Sequence, residues 1–174
     1  MLGYGMPSGG KRRNSLLQIR FDAMMIQKKT VPNNEIIPEI ARLLKEGSEV
    51  SFSFKGSSML PFIRGERDTV VLSKAEELRK GDIVLALIEG KRYVLHRIIE
   101  INGSRVILMG DGNISGIEKC SKDDVLARAV KIVRNGREID CRSKKHIRTA
   151  SIWRTLLPVR RLILAIYRRT LLNL

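Results

Sequence analysis

The 174-residue sequence has only two cysteines, few aromatic residues and no long apolar run. Cys120 and Cys141 fit no metal-ligand spacing, and one disulfide would be a weak framework for a chain of this length, so they indicate a reducing compartment. Without about 20 consecutive apolar residues there is no candidate membrane span. The N-terminus also lacks the charged and apolar regions of a signal peptide. We therefore expect a cytoplasmic protein, with peripheral contact at the inner membrane surface as an option.

Acidic residues are missing from the C-terminal end of the chain. Residues 142–174 hold nine basic and no acidic side chains, and residues 1–30 hold six basic and one acidic. Residues 31–141, with 18 basic and 17 acidic side chains, are nearly balanced, although the whole chain carries a net charge of +15. A nucleic-acid-binding domain usually carries its basic stripe on the folded body. The balanced middle therefore argues against nucleic acid as a partner.

Length and composition fit one compact domain with appended segments. We divide the chain into a basic flexible lead-in (residues 1–32), an amphipathic helix (33–48), a β domain (49–141) and a basic amphipathic tail (142–174). The helix is predicted from apolar residues that recur at helical spacing between Ile36 and Leu44.

A mainly β fold is predicted for the middle of the chain, with one N-terminal helix and one C-terminal amphipathic helix. Short runs of β-branched and apolar residues are separated there by glycine-containing turns. Two Asn-Gly pairs, Asn102-Gly103 and Asn135-Gly136, predict type I′ hairpin turns. The predicted strands are 50–54, 68–72, 82–88, 93–101, 104–109 and 125–133.

The first of these hairpins brings a histidine and a carboxylate together. Counting outward from a two-residue Asn102-Gly103 turn places His96 opposite Met109, so that Asp111 is the diagonal neighbour of His96. A carboxylate that fixes one imidazole tautomer leaves the other ring nitrogen free to accept a proton. The alternative is a hydrogen-bonded histidine within a β core.

A candidate nucleophile lies in the sequence Gly-Ser-Ser-Met-Leu-Pro, residues 56–61. A strand ends there at a glycine, two hydroxyls follow, and a proline fixes the backbone. Such a turn can expose a serine, Ser58 or alternatively Ser57, and aim backbone N–H groups at one point, as an oxyanion hole requires. The alternative is an ordinary solvated turn.

The order of these motifs resembles the signal peptidase I and LexA-like serine peptidase superfamily over about residues 50–133. Ser58-Met59 followed by Pro61 is similar to its nucleophile box, and Lys80–Val84 to its Gly-Asp strand. His96 followed by Arg97 is similar to the base strand of archaeal and endoplasmic-reticulum signal peptidases, and residues 110–113 resemble the GDxN turn.

The resemblance implies a serine endopeptidase in which Ser58 is the nucleophile, His96 the general base and Asp111 the acidic partner. Ser57 and Met59 would belong to the oxyanion or substrate site. A peptide or protein is the implied substrate, with no metal and no organic cofactor. Before the first strand we expect neither the membrane span of signal peptidases nor the DNA-binding domain of LexA. The alternative function is a catalytically inactive β module that binds a peptide or the membrane surface.

The tail is predicted to form a basic amphipathic helix over residues 152–174, unless Pro158 breaks it. Such a helix suits the surface of an anionic membrane, and the alternative is a terminal helix packed on the β body or on a partner. In the preceding basic stretch we expect His146 to be solvated. On a helical wheel one side carries Arg154, Arg161, Arg168 and Arg169, and the other Leu156, Val159, Ile163, Ile166 and Leu174.

Overall fold

The computed structural model describes residues 40–44 and 46–171. Within these ranges, eight strands form one antiparallel sheet and two helices follow the last strand, which confirms the mainly β prediction. Residues 40–44 are helical, whereas the rest of the predicted 33–48 helix is outside the described residues or, at 46–48, non-helical, and the 1–32 lead-in is not described. The elements are β1 (Val50–Phe52), β2 (Thr69–Lys74), β3 (Ile83–Ile88), β4 (Arg92–Asn102), β5 (Arg105–Met109), β6 (Glu118–Ser121), β7 (Val125–Arg134), β8 (Arg137–Asp140), α1 (Lys144–Thr155) and α2 (Arg160–Leu171).

The sheet has the strand order β1-β2-β7-β3-β4-β5-β6, and β8 pairs with the outer part of β7. The central strand β3 has the apolar sequence Ile-Val-Leu-Ala-Leu-Ile because both of its faces are covered. Ile83 and Leu85 face one core cluster, and Val84 and Ala86 face the other. Register shifts in the β2–β7, β3–β7 and β4–β5 pairs mark bulges, which increase the local twist of a sheet.

The two predicted hairpins turn out differently. Asn135 and Gly136 both have positive φ and form a two-residue turn, as predicted. In the β4–β5 hairpin, however, Asn102 pairs with Arg105, so the loop is Gly103-Ser104 and only its glycine has positive φ. Glycine at the first central position is the requirement of a type II′ turn, which competes with the predicted type I′ turn.

The predicted register of the β4–β5 hairpin is therefore wrong. The changed turn moves the pairing by two residues and a bulge between Ile98 and Glu100 moves it back by one, so the residue that faces Met109 is Arg97, not His96. Because successive side chains of a strand point to opposite faces, this one-residue shift changes which residue meets Asp111.

The tail is helical, but it forms two helices separated by a turn that contains Pro158, which is the break that the sequence left open. The helix α1 buries His146, Ala150 and Trp153, which lie on one face at positions i, i+4 and i+7. His146 is thus not solvated: it is 7% exposed and packs edge-on against the ring of Phe62.

The inner face of α2 packs on the β body. Leu164 is buried against Leu60 and Trp153, and Ile163 and Tyr167 pack at the margin of the same cluster. Of the tail's two predicted environments, packing on the body is thus observed for this face. No helix in the described part of the chain is long and apolar enough to cross a bilayer.

Candidate active site

A cleft of about 340 Å³ opens between the turn that follows β1 and the first half of β4. Its walls include Ser58 and Met59 from the turn, His96 from β4 and Glu118 from β6. Because β5 ends opposite Arg97, residues 92–96 of β4 pair with β3 on one side only, and all five line the cleft. The topology thus brings the predicted nucleophile and the predicted base to one surface.

The imidazole of His96 is held by a carboxylate, but not by the predicted one. The Nδ1 atom of His96 lies 2.6 Å from Oε2 of Glu118, and both side chains are largely buried. The other oxygen of Glu118 accepts a hydrogen bond from Arg92 at the rim of the cleft. With Nδ1–H donating to Glu118, the Nε2 atom of His96 is the proton-accepting nitrogen.

Asp111 pairs with Arg97 rather than with His96. The Nη2 atom of Arg97 lies 2.6 Å from Oδ2 of Asp111, and Nε lies 2.9 Å from Oδ1, in a buried bidentate pair. Arg97 also donates to the carbonyl of Gly81 and lies over the ring of Phe62. The diagonal contact predicted across this hairpin exists, but the register shift gives it to Arg97. In the described structure the Asp111 carboxylate is thus engaged by Arg97 and not by His96.

The GDxN loop, residues 110–113, supports the nucleophile turn, residues 57–61, by direct backbone contact. The N–H of Gly112 donates to the carbonyl of Ser58 at 2.7 Å. A Cβ atom on Gly112 would lie 2.4 Å from the carbonyl oxygen of Ser57, and one on Gly110 would lie 2.5 Å from that of Ser58. Both glycines are thus required for the close approach of the two backbones.

The segment after the nucleophile turn is fixed by a buried carboxylate. Asp68 accepts hydrogen bonds from the backbone and the side chain of Arg64 and from the side chain of Arg134. Burial alone would raise the pKa of Asp68, but the hydrogen bonds from Arg134 and the Arg64 backbone, together with the two guanidinium charges, hold it below its usual value. Arg134 also donates to the carbonyl of Phe62, next to the turn.

The C-terminal helices hold the GDxN loop from the other side. The indole N–H of Trp153 donates to the carbonyl of Asp111 at 2.7 Å. Arg160 donates to the carbonyl of Asn113 and to that of Trp153, both at 3.0 Å, and its guanidinium lies over the indole ring. The tail is thus part of the structure that positions the nucleophile turn.

The structure brings some predicted site residues together and leaves others outside. Ser58, Met59 and His96 line the cleft, whereas Ser57 is exposed outside its walls and the Asp111 side chain is engaged elsewhere. Within residues 46–171, no hydrogen bond joins the Ser58 hydroxyl to the His96 ring. Catalytic hydrogen bonds often tighten only when substrate binds, so this geometry is compatible with a nucleophile and base pair.

Two backbone N–H groups beside Ser58 have no hydrogen-bond acceptor among the described residues. The carbonyls of Ser57 and Ser58 are occupied by the N–H groups of Leu60 and Gly112. In the part of the chain that the structure describes, the N–H groups of Ser58 and Met59 donate no hydrogen bond. Two neighbouring free N–H groups are the donors that a tetrahedral oxyanion requires.

Glu118 is the site residue that the sequence did not reveal. It opens β6, whose sequence Glu-Lys-Cys-Ser has no apolar and polar alternation and predicts no strand. Glu118 faces Leu108 of β5, which in turn faces Ile98 of β4. Its proximity to His96 thus depends on two successive hairpins and a bulge. An acidic residue seven positions after Asp111 was the only available signal, and it is weak.

The fold and the cleft together define a class of small antiparallel β proteins with a serine and a histidine at one sheet edge. The sequence model of the family described as Peptidase S24-like matches residues 19–131, which is more than half of the chain. The chain therefore belongs to the Peptidase S24-like family, a family of serine-protease-like and LexA-like proteins. This confirms the resemblance drawn from the motifs. No curated protein matches the sequence.

Proposed function

We propose that the protein is a serine endopeptidase that cleaves a peptide or protein substrate, with Ser58 as nucleophile and His96 as general base. The observation that carries the proposal is the shared cleft, which Ser58 and His96 both line while a carboxylate oxygen of Glu118 lies at Nδ1 of His96. Family membership supports the same class of activity.

In the proposed reaction, Oγ of Ser58 attacks the scissile carbonyl carbon while Nε2 of His96 takes the hydroxyl proton. The negative carboxylate of Glu118 stabilises the imidazolium that forms, and the N–H groups of Ser58 and Met59 stabilise the oxyanion. When the C–N bond breaks, His96 gives the proton to the leaving amine. Water, deprotonated by His96, then hydrolyses the Ser58 ester and regenerates the enzyme.

The open edge of β4 is the proposed docking site for the substrate backbone. Residues 92–96 have β3 as their strand partner and line the cleft along their other side. An extended peptide laid along this edge would gain main-chain hydrogen bonds and bring one of its carbonyls towards Ser58. Side-chain pockets beside Phe54, Ile63 and Tyr93 would then contribute to specificity.

The test is digestion of a peptide library by the full chain, with new termini identified by mass spectrometry. Ser58→Ala should reduce cleavage at least 1000-fold, because the nucleophile is removed. Ser57→Ala is the matched control, and we expect its activity to stay within about threefold of the unmodified protein, because Ser57 is exposed outside the cleft.

Two results would contradict the proposal. If Ser57→Ala abolished cleavage and Ser58→Ala did not, the nucleophile would be the neighbouring serine. If no peptide were cut by the unmodified protein, while an extended peptide still bound along β4, the chain would be the inactive binding module that is the alternative function.

A further inference from the structure

The outer face of α2 carries an apolar stripe that the β body does not cover. Its members Val159, Leu162 and Ile166 are 49%, 65% and 55% exposed. Val159 immediately precedes α2, and the three residues lie at positions i, i+3 and i+7, so they share one side of the helix. The opposite side is the one that packs on the protein through Leu164. The helix thus has two apolar faces, of which one has no partner within the described residues.

The charge around this outer stripe has a single sign. Arg161 and Arg168 are exposed on one flank of α2, between this stripe and the face that packs on the protein. Residues 142–174 contain nine basic and no acidic side chains, so no acidic side chain of this segment neutralises Arg161 or Arg168. An occupant of the stripe must therefore combine an apolar layer with negative charge.

Several occupants do not meet that requirement. A second copy of the same face would bring like charges together, which disfavours association. The N-terminal residues 1–30 carry six basic and one acidic side chain, so they share the charge sign of α2. Nucleic acid would satisfy the arginines but offers no apolar layer for Leu162 and Ile166.

We propose that the outer stripe of α2 docks on the surface of a membrane rich in anionic lipid. Val159, Leu162 and Ile166 would enter the boundary between headgroups and acyl chains, and the arginines would meet lipid phosphates. The helix would lie in the plane of the interface, since it is too short to span the bilayer.

Docking in this way needs no rearrangement of the fold. Arg160 ties α2 to the carbonyl of Asn113, and Leu164 packs beside Leu60 of the nucleophile turn. These inner contacts stay in place while the outer stripe meets lipid. The membrane-bound form would therefore carry an intact cleft, and membrane binding does not depend on catalysis.

The test is co-sedimentation of the full chain with phosphatidylcholine vesicles, with and without about one quarter phosphatidylglycerol. We expect binding to the anionic vesicles and at least tenfold weaker binding to the neutral ones. Because each arginine near an anionic surface contributes about fivefold in affinity, Arg161→Gln/Arg168→Gln should weaken binding about 30-fold. The matched control Arg105→Gln/Arg137→Gln removes two exposed arginines from the sheet and should change binding less than threefold.

A second pair of variants tests the apolar contribution at constant charge. Leu162→Ser/Ile166→Ser should weaken vesicle binding at least tenfold, because both side chains leave the interface. Ile114→Ser/Ile117→Ser removes two comparably exposed isoleucines from the loop before β6 and should have no effect. Circular dichroism and melting temperature check that each variant is folded.

Three results would overturn the proposal. If Arg105→Gln/Arg137→Gln weakened vesicle binding as much as Arg161→Gln/Arg168→Gln, the binding would depend on net charge alone and not on α2. Binding that survives Leu162→Ser/Ile166→Ser, together with tight salt-dependent binding to duplex DNA, would assign the arginines to nucleic acid. A dimer in solution that the same serine substitutions dissociate would assign the stripe to a second copy of the chain.

Discussion

Replacement of Glu118 by glutamine separates the two carboxylates that compete for a role beside His96. The substitution keeps the size of the side chain and removes its negative charge. In the structure Oε2 of Glu118 lies 2.6 Å from Nδ1 of His96, whereas Asp111 is bound by Arg97. We therefore expect Glu118→Gln to lower reactivity and leave the fold intact.

The size of the effect follows from the charge pair. An imidazolium and a carboxylate about 4 Å apart attract each other by about 4 kcal/mol at an effective dielectric constant of about 20. Each 1.4 kcal/mol, roughly, is a factor of ten in rate, so loss of the pair corresponds to about 1000-fold. Glu118 is 16% exposed and also pairs with Arg92, and both features weaken its effect on His96. The expected loss is thus about 100-fold to 1000-fold.

The assay is the second-order rate constant for labelling by a fluorophosphonate, which reports on the serine and its base without a known substrate. The melting temperature of Glu118→Gln should stay within about 3 °C of the unmodified protein. Asp111→Asn should instead lower the free energy of unfolding by about 3 to 5 kcal/mol, because it breaks a buried pair and leaves Arg97 uncompensated. Undiminished labelling of Glu118→Gln, with a folded Asp111→Asn protein that no longer reacts, would refute the reasoning.

Three further predictions concern the parts that hold the site. Gly112→Ala places a Cβ atom 2.4 Å from the Ser57 carbonyl oxygen, so it should lower the free energy of unfolding, measured in urea, by about 2 to 4 kcal/mol and abolish labelling. The control is Gly116→Ala, where a Cβ atom meets open space but φ is positive, and it should lower the free energy of unfolding by only about 1 kcal/mol. Trp153→Phe removes the indole N–H from the GDxN loop and should destabilise the protein by about 1 to 2 kcal/mol; an unchanged urea midpoint would contradict this. Burial lowers the pKa of His146 below its usual 6.5, so the unfolded chain binds a proton there more tightly and stability falls as the pH drops below about 6.5. Between pH 7.5 and 5.5 the melting temperature of His146→Leu should therefore fall less than that of the unmodified protein. Parallel melting curves of the two proteins against pH would contradict this.

Much of the fold could be predicted because the signals are local. The alternating or continuous apolar residues of β1 to β5 and β7 mark strands without reference to the rest of the chain. The turn at Asn135-Gly136 needs positive φ at both central residues, and its sequence supplies them. The serine of the nucleophile turn and the histidine of β4 were likewise found from short motifs, and the structure places them at one cleft.

The partners of those residues could not be predicted because they depend on register. Two turn types compete at residues 102–104, because Asn-Gly suits a type I′ turn and Gly-Ser suits a type II′ turn. The turn alone displaces the register by two residues and the bulge in β4 takes back one of them, so the net error of one residue assigned Asp111 to His96 instead of Arg97. Glu118 was missed for the same reason, since its position is the outcome of two hairpins.

In the tail the predicted amphipathic pattern is correct, but the pattern does not show which surface each helix face contacts. A helical wheel separates arginines from apolar residues, but it cannot tell that Leu164 meets the β body while Leu162 faces outwards. Arg160, which lay apart from the predicted basic cluster, is buried against Trp153 and donates a hydrogen bond to the carbonyl of Asn113 in the GDxN loop. Tertiary packing thus places some apolar residues of the tail against the β body and leaves others exposed, although the sequence shows one amphipathic segment.

The most direct test of the proposed serine and histidine pair is the site of fluorophosphonate attachment, mapped by mass spectrometry of the labelled protein. We predict one adduct on Ser58, unaffected by Ser57→Ala and lost in a folded His96→Ala variant. An adduct on Ser57, or labelling of Ser58 that persists without the imidazole, would contradict the assignment of these two residues as nucleophile and base.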